Sequence, residues 1–94
     1  MFNKLKQIQD LKSQASQIKK ALSAETVEGS GAWGKVKVIM DGNQEIKKIE
    51  IADELLSDKV KLENAIIEAT NDTIKKVQRV MAQKMSQFGG FPGL

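Results

Sequence analysis

The chain is 94 residues long, 40% hydrophobic and 29% charged, with a net charge of +3 and no Cys, His or Tyr. That length holds one domain and a modest core, and falls short of a dinucleotide fold or a kinase. The missing residue types exclude a catalytic thiol, an imidazole base, a His/Cys metal site and a disulfide framework.

The first helix is predicted from Phe2 to Leu22, where Phe2, Leu5, Ile8, Leu11, Ala15, Ile18 and Leu22 recur every three or four residues. Gln and Lys fill its other face, so the stripe reads as a packing surface and membrane binding is not expected. No apolar run approaches the roughly 20 residues needed to cross a bilayer, and the amino-terminal residues lack an apolar signal core.

A short strand is expected at Glu25–Glu28, a second at residues 35–40, where Val36, Val38 and Met40 alternate with Lys35 and Lys37, and a third at Ile46–Ile51. Asp41-Gly42 between the last two is a hairpin signal. The segment ADELLSD then leads to a second helix, for which Ser57 or Asp58 is a natural N-cap. In this helix Val60, Ile67, Ile74, Met81 and Phe88 recur every seven residues, with Leu62, Ile66, Ala69, Val77 and Val80 beside them. The apolar arc covers about half the circumference, and a helix of roughly 30 residues is near 45 Å long. One short sheet and one helix cannot cover such an arc, so a homodimer is expected. The expected fold class is α+β: an N-terminal helix, a three-stranded antiparallel meander, a short turn and a long C-terminal helix. Residues 1–88 form a single domain and residues 89–94, GGFPGL, a flexible tail.

Gly29, Gly31 and Gly34 spell G-x-G-x-x-G, a pattern shared with nucleotide-phosphate loops. A dinucleotide fingerprint needs a helix directly after the glycines, whereas a strand follows here. A kinase would also need a His-Arg-Asp segment and an Asp-Phe-Gly triplet, and neither is present. The glycines therefore read as a turn whose residues supply positive φ angles, and no nucleotide is expected. Trp33, the only Trp, reads as a lid over the core or a partner subunit, with stacking on a base as the alternative. Asn71 and Asp72, poor helix formers inside a helix, read as structural, Asp72 pairing with Lys76 one turn on. The acids show no close pairing that suggests a shared proton or a divalent cation site, so no cofactor, metal or catalytic residue is expected.

Charge is segregated along the chain. Residues 1–22 carry five Lys against one Asp, residues 23–72 six Lys against eleven acids, and residues 73–94 four basic residues and no acid. Basic ends flanking an acidic middle suggest a polyanion as partner.

The order of elements, with VEGSGAWGKVKVIMDG at its centre, resembles the YbaB/EbfC family of bacterial nucleoid-associated proteins over nearly the whole chain. The resemblance rests on Val27, Gly29, Gly34, Val36, Val38 and Gly42, then on Ile51, Leu55 and Leu56, and on the last helix on Leu62, Glu63, Ala69, Asn71 and Asp72. Trp33 stands where the family has a small residue, Thr73 follows Asn-Asp in place of Ala, and Gly31 is shifted within its loop. The resemblance implies a cytoplasmic, nucleoid-associated homodimer whose sheets join the subunits, whose long helices project, and whose ligand is double-stranded DNA. The residues expected to contact phosphate are Lys4, Lys6, Lys12, Lys75, Lys76, Arg79 and Lys84, taken to converge at the free ends of the two helices. A non-catalytic scaffold that docks a protein on the apolar arc is the alternative, and a small enzyme has no base beyond carboxylates to work with.

Overall fold

The computed structural model describes the backbone of residues 2–87 and the side chains of residues 9–87. Helix α1 spans Phe2–Ser23, strands β1, β2 and β3 span Thr26–Gly31, Val36–Asp41 and Ile46–Ile51, and helix α2 spans Lys59–Gln87 after a 3-10 turn at Asp53–Leu55. The strands form an antiparallel sheet in the order β1-β2-β3. The expected tail at residues 89–94 lies outside the described residues.

β1 is longer than its sequence suggests, because Gly29 and Gly31 belong to the strand and not to the turn. Both have ordinary φ angles, so the expectation that they supply positive φ is corrected. They are small because α2 lies directly on them: a Cβ on Gly29 would stand 2.5 Å from the amide nitrogen of Thr73, and one on Gly31 would stand 2.9 Å from that of Ala69. Close backbone approach, not turn geometry, selects glycine here. The turn itself is Ala32-Trp33-Gly34, with φ of 51°, 60° and 87°. The Gly34 amide donates to the Gly31 carbonyl across it at 3.2 Å.

The second hairpin forms where Asp41-Gly42 signals it, by a different device. Asp41 Oδ1 accepts from the amides of Asn43 at 2.8 Å and Glu45 at 3.1 Å, and the positive φ falls on Gln44. Gly42 is small because a Cβ there would stand 2.6 Å from the Leu22 carbonyl oxygen, to which its amide donates at 2.8 Å, fixing the end of α1 against the hairpin. The buried Asp41 carboxylate is balanced by Lys47, whose ammonium lies 3.6 Å from Oδ2.

α2 is capped by Asp58, the residue before it, whose Oδ1 accepts from the Lys61 amide at 3.1 Å and so satisfies an otherwise orphaned donor. It crosses β1 and β2 and buries Ala65, Ala69, Thr73 and Val77, spaced by four, against Val27, Val36, Val38 and Met40. Val36, Val38 and Val77 have no solvent exposure, and each such side chain contributes roughly 1.5–3 kcal/mol of transfer free energy. Thr73 fits this interior because its hydroxyl lies 2.6 Å from the Ala69 carbonyl and 3.1 Å from that of Val38. Six-residue strands span about 20 Å, so a helix of 29 residues overruns the sheet at both ends.

Two apolar surfaces stay uncovered. Ile46, Ile49 and Ile51 of β3 are paired with Met40, Val38 and Val36 and share their face, yet α2 does not reach them and they stay 37–46% exposed. Ile67 and Val60 on α2 and Leu56 before it are more exposed still. Among its described side chains, α1 is anchored by its last turns, through Ile18 and Leu22. Residues 9–17 are all exposed, and the molecule reaches 65 Å in length against 18 Å in the other two directions.

Candidate nucleic-acid interface

The seven cations that the sequence marks fall into three groups. Lys4 and Lys6 lie on the first turns of α1, and their side chains are outside the described residues. Lys12, Lys75 and Arg79 are exposed and make no ion pair among the described residues. Lys76 and Lys84 are committed within the chain. The Lys76 ammonium lies 3.2 Å from Asp72 and donates to the Glu28 carbonyl at 3.3 Å, while Lys84 meets Glu25 at 2.8 Å.

Lys75 and Lys76 lie beside the sheet, Lys76 reaching the middle of β1, so the expected convergence of all seven at one free end is corrected. The reason is the pair of glycines in β1, which hold residues 65–73 of α2 over the strands and place the next turn at sheet level. Two further cations escaped the sequence reading. Lys19 and Lys20 of α1 are exposed and unpaired among the described residues, continuing the line of Lys12 toward the sheet. Their position among apolar residues at helical spacing was the available signal.

Asp72 has the structural role expected of it. Its Oδ2 accepts from the Ser30 amide at 3.0 Å and pairs with Lys76, so the carboxylate closes the outer edge of β1. The Ser30 N–H, and after it the Lys76 ammonium, hold Asp72 below the usual carboxylate range. Because the folded-state value is the lower one, this stabilisation is complete above the unfolded carboxylate's pKa of about 4 and fades as pH falls through the folded value. Asp72→Asn should therefore flatten the acid limb of a melting-temperature profile taken between about pH 5 and pH 2. A limb as steep as that of the parent chain would assign the dependence to other carboxylates.

The glycine pattern has no room for a phosphate. Ser30 gives its amide to Asp72, Gly34 gives its amide to Gly31, and Gly29 and Gly31 lie under α2. Trp33 is 101% exposed, so within this chain it is no lid over the core. Among the described residues no three His, Cys, Asp or Glu side chains gather as a metal site would require. The hairpin cation Lys47 is held above its usual range by its hydrogen bond and charge pairing with Glu45, with Asp41 adding to both, which makes it a local tether.

The architecture is thus a small α+β module: a meander under one long helix, with a second helix leaving its corner and carrying unpaired cations. Residues 1–91 match the model of the YbaB/EbfC DNA-binding family. The chain is 31% identical over 98 residues to a nucleoid-associated protein of Syntrophobacter fumaroxidans, covering 99% of this chain and 89% of that one. It is 34% identical over 99 residues to a nucleoid-associated protein of Pelotomaculum thermopropionicum, covering 100% and 94%. Among solved structures it is similar to uncharacterized protein HP0035 of Helicobacter pylori, with a TM-score of 0.69 at 25% identity over 81% of this chain and 90% of that one. The chain belongs to the YbaB/EbfC DNA-binding family.

Proposed function

We propose that the protein is a non-catalytic, nucleoid-associated homodimer that binds double-stranded DNA in the cytoplasm with little base preference, through basic residues on its helices. The observation that carries this reading is the set of exposed cations on α1 and α2 that make no ion pair among the described residues, Lys12, Lys19, Lys20, Lys75 and Arg79, in a chain of the DNA-binding family. Most of the other lysines are neutralised locally, by pairs such as Lys35 with Glu54 and Lys48 with Glu50. Flexible cations contact phosphates and carry no sequence information, which suits binding that follows charge and not base identity.

The uncovered apolar surface supports the dimer. The outer edge of β1 is closed by Asp72 and Lys76, whereas that of β3 makes no such hydrogen bond among the described residues. An open edge beside three half-exposed isoleucines favours pairing with a second copy. Light scattering after size exclusion should give about twice the 10.4 kDa chain mass. A gel shift with duplex DNA should show binding that falls steeply between 50 and 200 mM salt, as counterion release requires. A monodisperse monomer at micromolar concentration would remove the dimer. Failure to shift any duplex at low salt would leave the apolar surface as the functional one and favour a protein-docking scaffold.

A further inference from the structure

Two shallow clefts open beside α2, one at the tip of the β1–β2 hairpin and one at the outer edge of β1. One, of about 350 Å³, has Trp33, Lys61, Asn64 and Glu68 in its wall. The other, of about 390 Å³, is lined by Ser30, Glu68, Asn71, Asp72 and Lys75. Glu68 stands in the wall of both, so the clefts follow one another along the helix as a trough that its side chain interrupts. Arg79, four residues beyond Lys75, lies on the same side of the helix one turn further on. From Lys61 to Arg79 the helix rises about 27 Å, close to eight base pairs of duplex at about 3.4 Å each.

Trp33 stands at one end of this trough. Its indole buries nothing and is held out at the β1–β2 hairpin tip by backbone that L-residues seldom adopt, Ala32 and Trp33 occupying two of the three positive-φ positions of the turn. A large aromatic displayed under strain is a feature in search of a contact. The rest of the trough narrows the chemistry. It offers Lys75 and Arg79 as cations without an ion pair among the described residues, Lys61 lying 4.0 Å from Asp58, and the amides of Asn64 and Asn71, against one acid with no ion pair among the described residues, Glu68. Cations in line over several turns suit a phosphate backbone, and an indole at the end suits a base face.

We infer that duplex DNA lies along this trough and that Trp33 is a wedge, its indole stacked on a base at a step it partly opens. The inference rests on the DNA-binding reading above. It is particular to this chain, since the family resemblance places a small residue at position 33.

Trp33 is the only Trp, so its fluorescence reports this contact alone. Titration of the intact dimer with a duplex of roughly 25 base pairs should quench its emission and shield it from iodide. Trp33→Ala should weaken duplex binding about tenfold while leaving the salt slope unchanged, because no charge is lost. Trp33→Phe should retain most of the affinity, and Glu68→Gln should tighten binding by removing an acid that, unlike Asp72, has no cation paired with it among the described residues. Full exposure of Trp33 means that neither replacement at position 33 should move the melting temperature, which separates a lost contact from a lost fold. Unchanged fluorescence on a duplex that demonstrably binds, or wild-type affinity in Trp33→Ala, would overturn the inference. So would a Trp33 already shielded in DNA-free protein, which would place it against a protein surface, or stronger quenching by single strands than by duplex, which would make it a single-strand platform. Absence of any gel shift is a different outcome and defeats the DNA reading itself.

Discussion

Replacing Gly29 or Gly31 with Ala should unfold much of the protein's stability, at about 3 kcal/mol for either change. Each added methyl would meet α2 backbone, Thr73 or Ala65 and Ala69, and backbone in a packed helix cannot step aside as the end of a side chain can. For a domain of this size the melting midpoint should fall by roughly 12–24 °C. Gly34→Ala is the informative contrast. Its Cβ would meet nothing within 4 Å, and the cost is confined to a φ of 87°, about 1–2 kcal/mol. Thermal unfolding of the three variants under one condition checks the ranking. If Gly34→Ala proved the most damaging, turn geometry and not helix approach would be the reason for the glycine pattern.

The second large effect concerns charge. Lys75→Ala with Arg79→Ala should weaken binding to any duplex on the order of tenfold at physiological salt, and should reduce the slope of log affinity against log salt by about two for each protomer engaged. Lys76→Ala and Lys84→Ala should alter that slope less, because Asp72 and Glu25 already neutralise those ammonium groups inside the chain. Binding isotherms at four or five salt concentrations, with the dimer verified for each variant, distinguish the cases. A larger loss from Lys35→Ala with Lys37→Ala than from the α2 pair would move the DNA to the open face of the sheet.

These two predictions draw on one feature, the seat of α2 on β1. It explains why the glycines are where they are, why Lys75 and Arg79 flank the sheet, and why Asp72 and Lys76 are occupied in closing a strand edge. The same seat leaves β3 uncovered, since a single helix about 10 Å wide cannot span three strands about 4.8 Å apart together with their side chains. The surface left over is the one assigned to the second copy.

The sequence by itself determined the order and type of the elements. Alternation at Val36, Val38 and Met40, the heptad from Val60 to Met81, a cap at Ser57 or Asp58, of which the structure selects Asp58, and the i,i+4 pair of Asp72 with Lys76 are all local signals, and short-range spacing decides them. It also carried the family, through a pattern spread over most of the chain. Only the tertiary structure decided what the glycines are for and which lysines are available. A glycine required for positive φ and a glycine required for a helix resting on a strand look identical in sequence, because the second depends on atoms some 40 residues away. The availability of a lysine turns equally on distant partners: Lys84 is silenced by Glu25 and Lys76 is tied further by the backbone carbonyl of Glu28, whereas Arg79, on the next turn, meets no acid among the described residues. Charge along a chain is additive and legible, but its cancellation is a property of three dimensions.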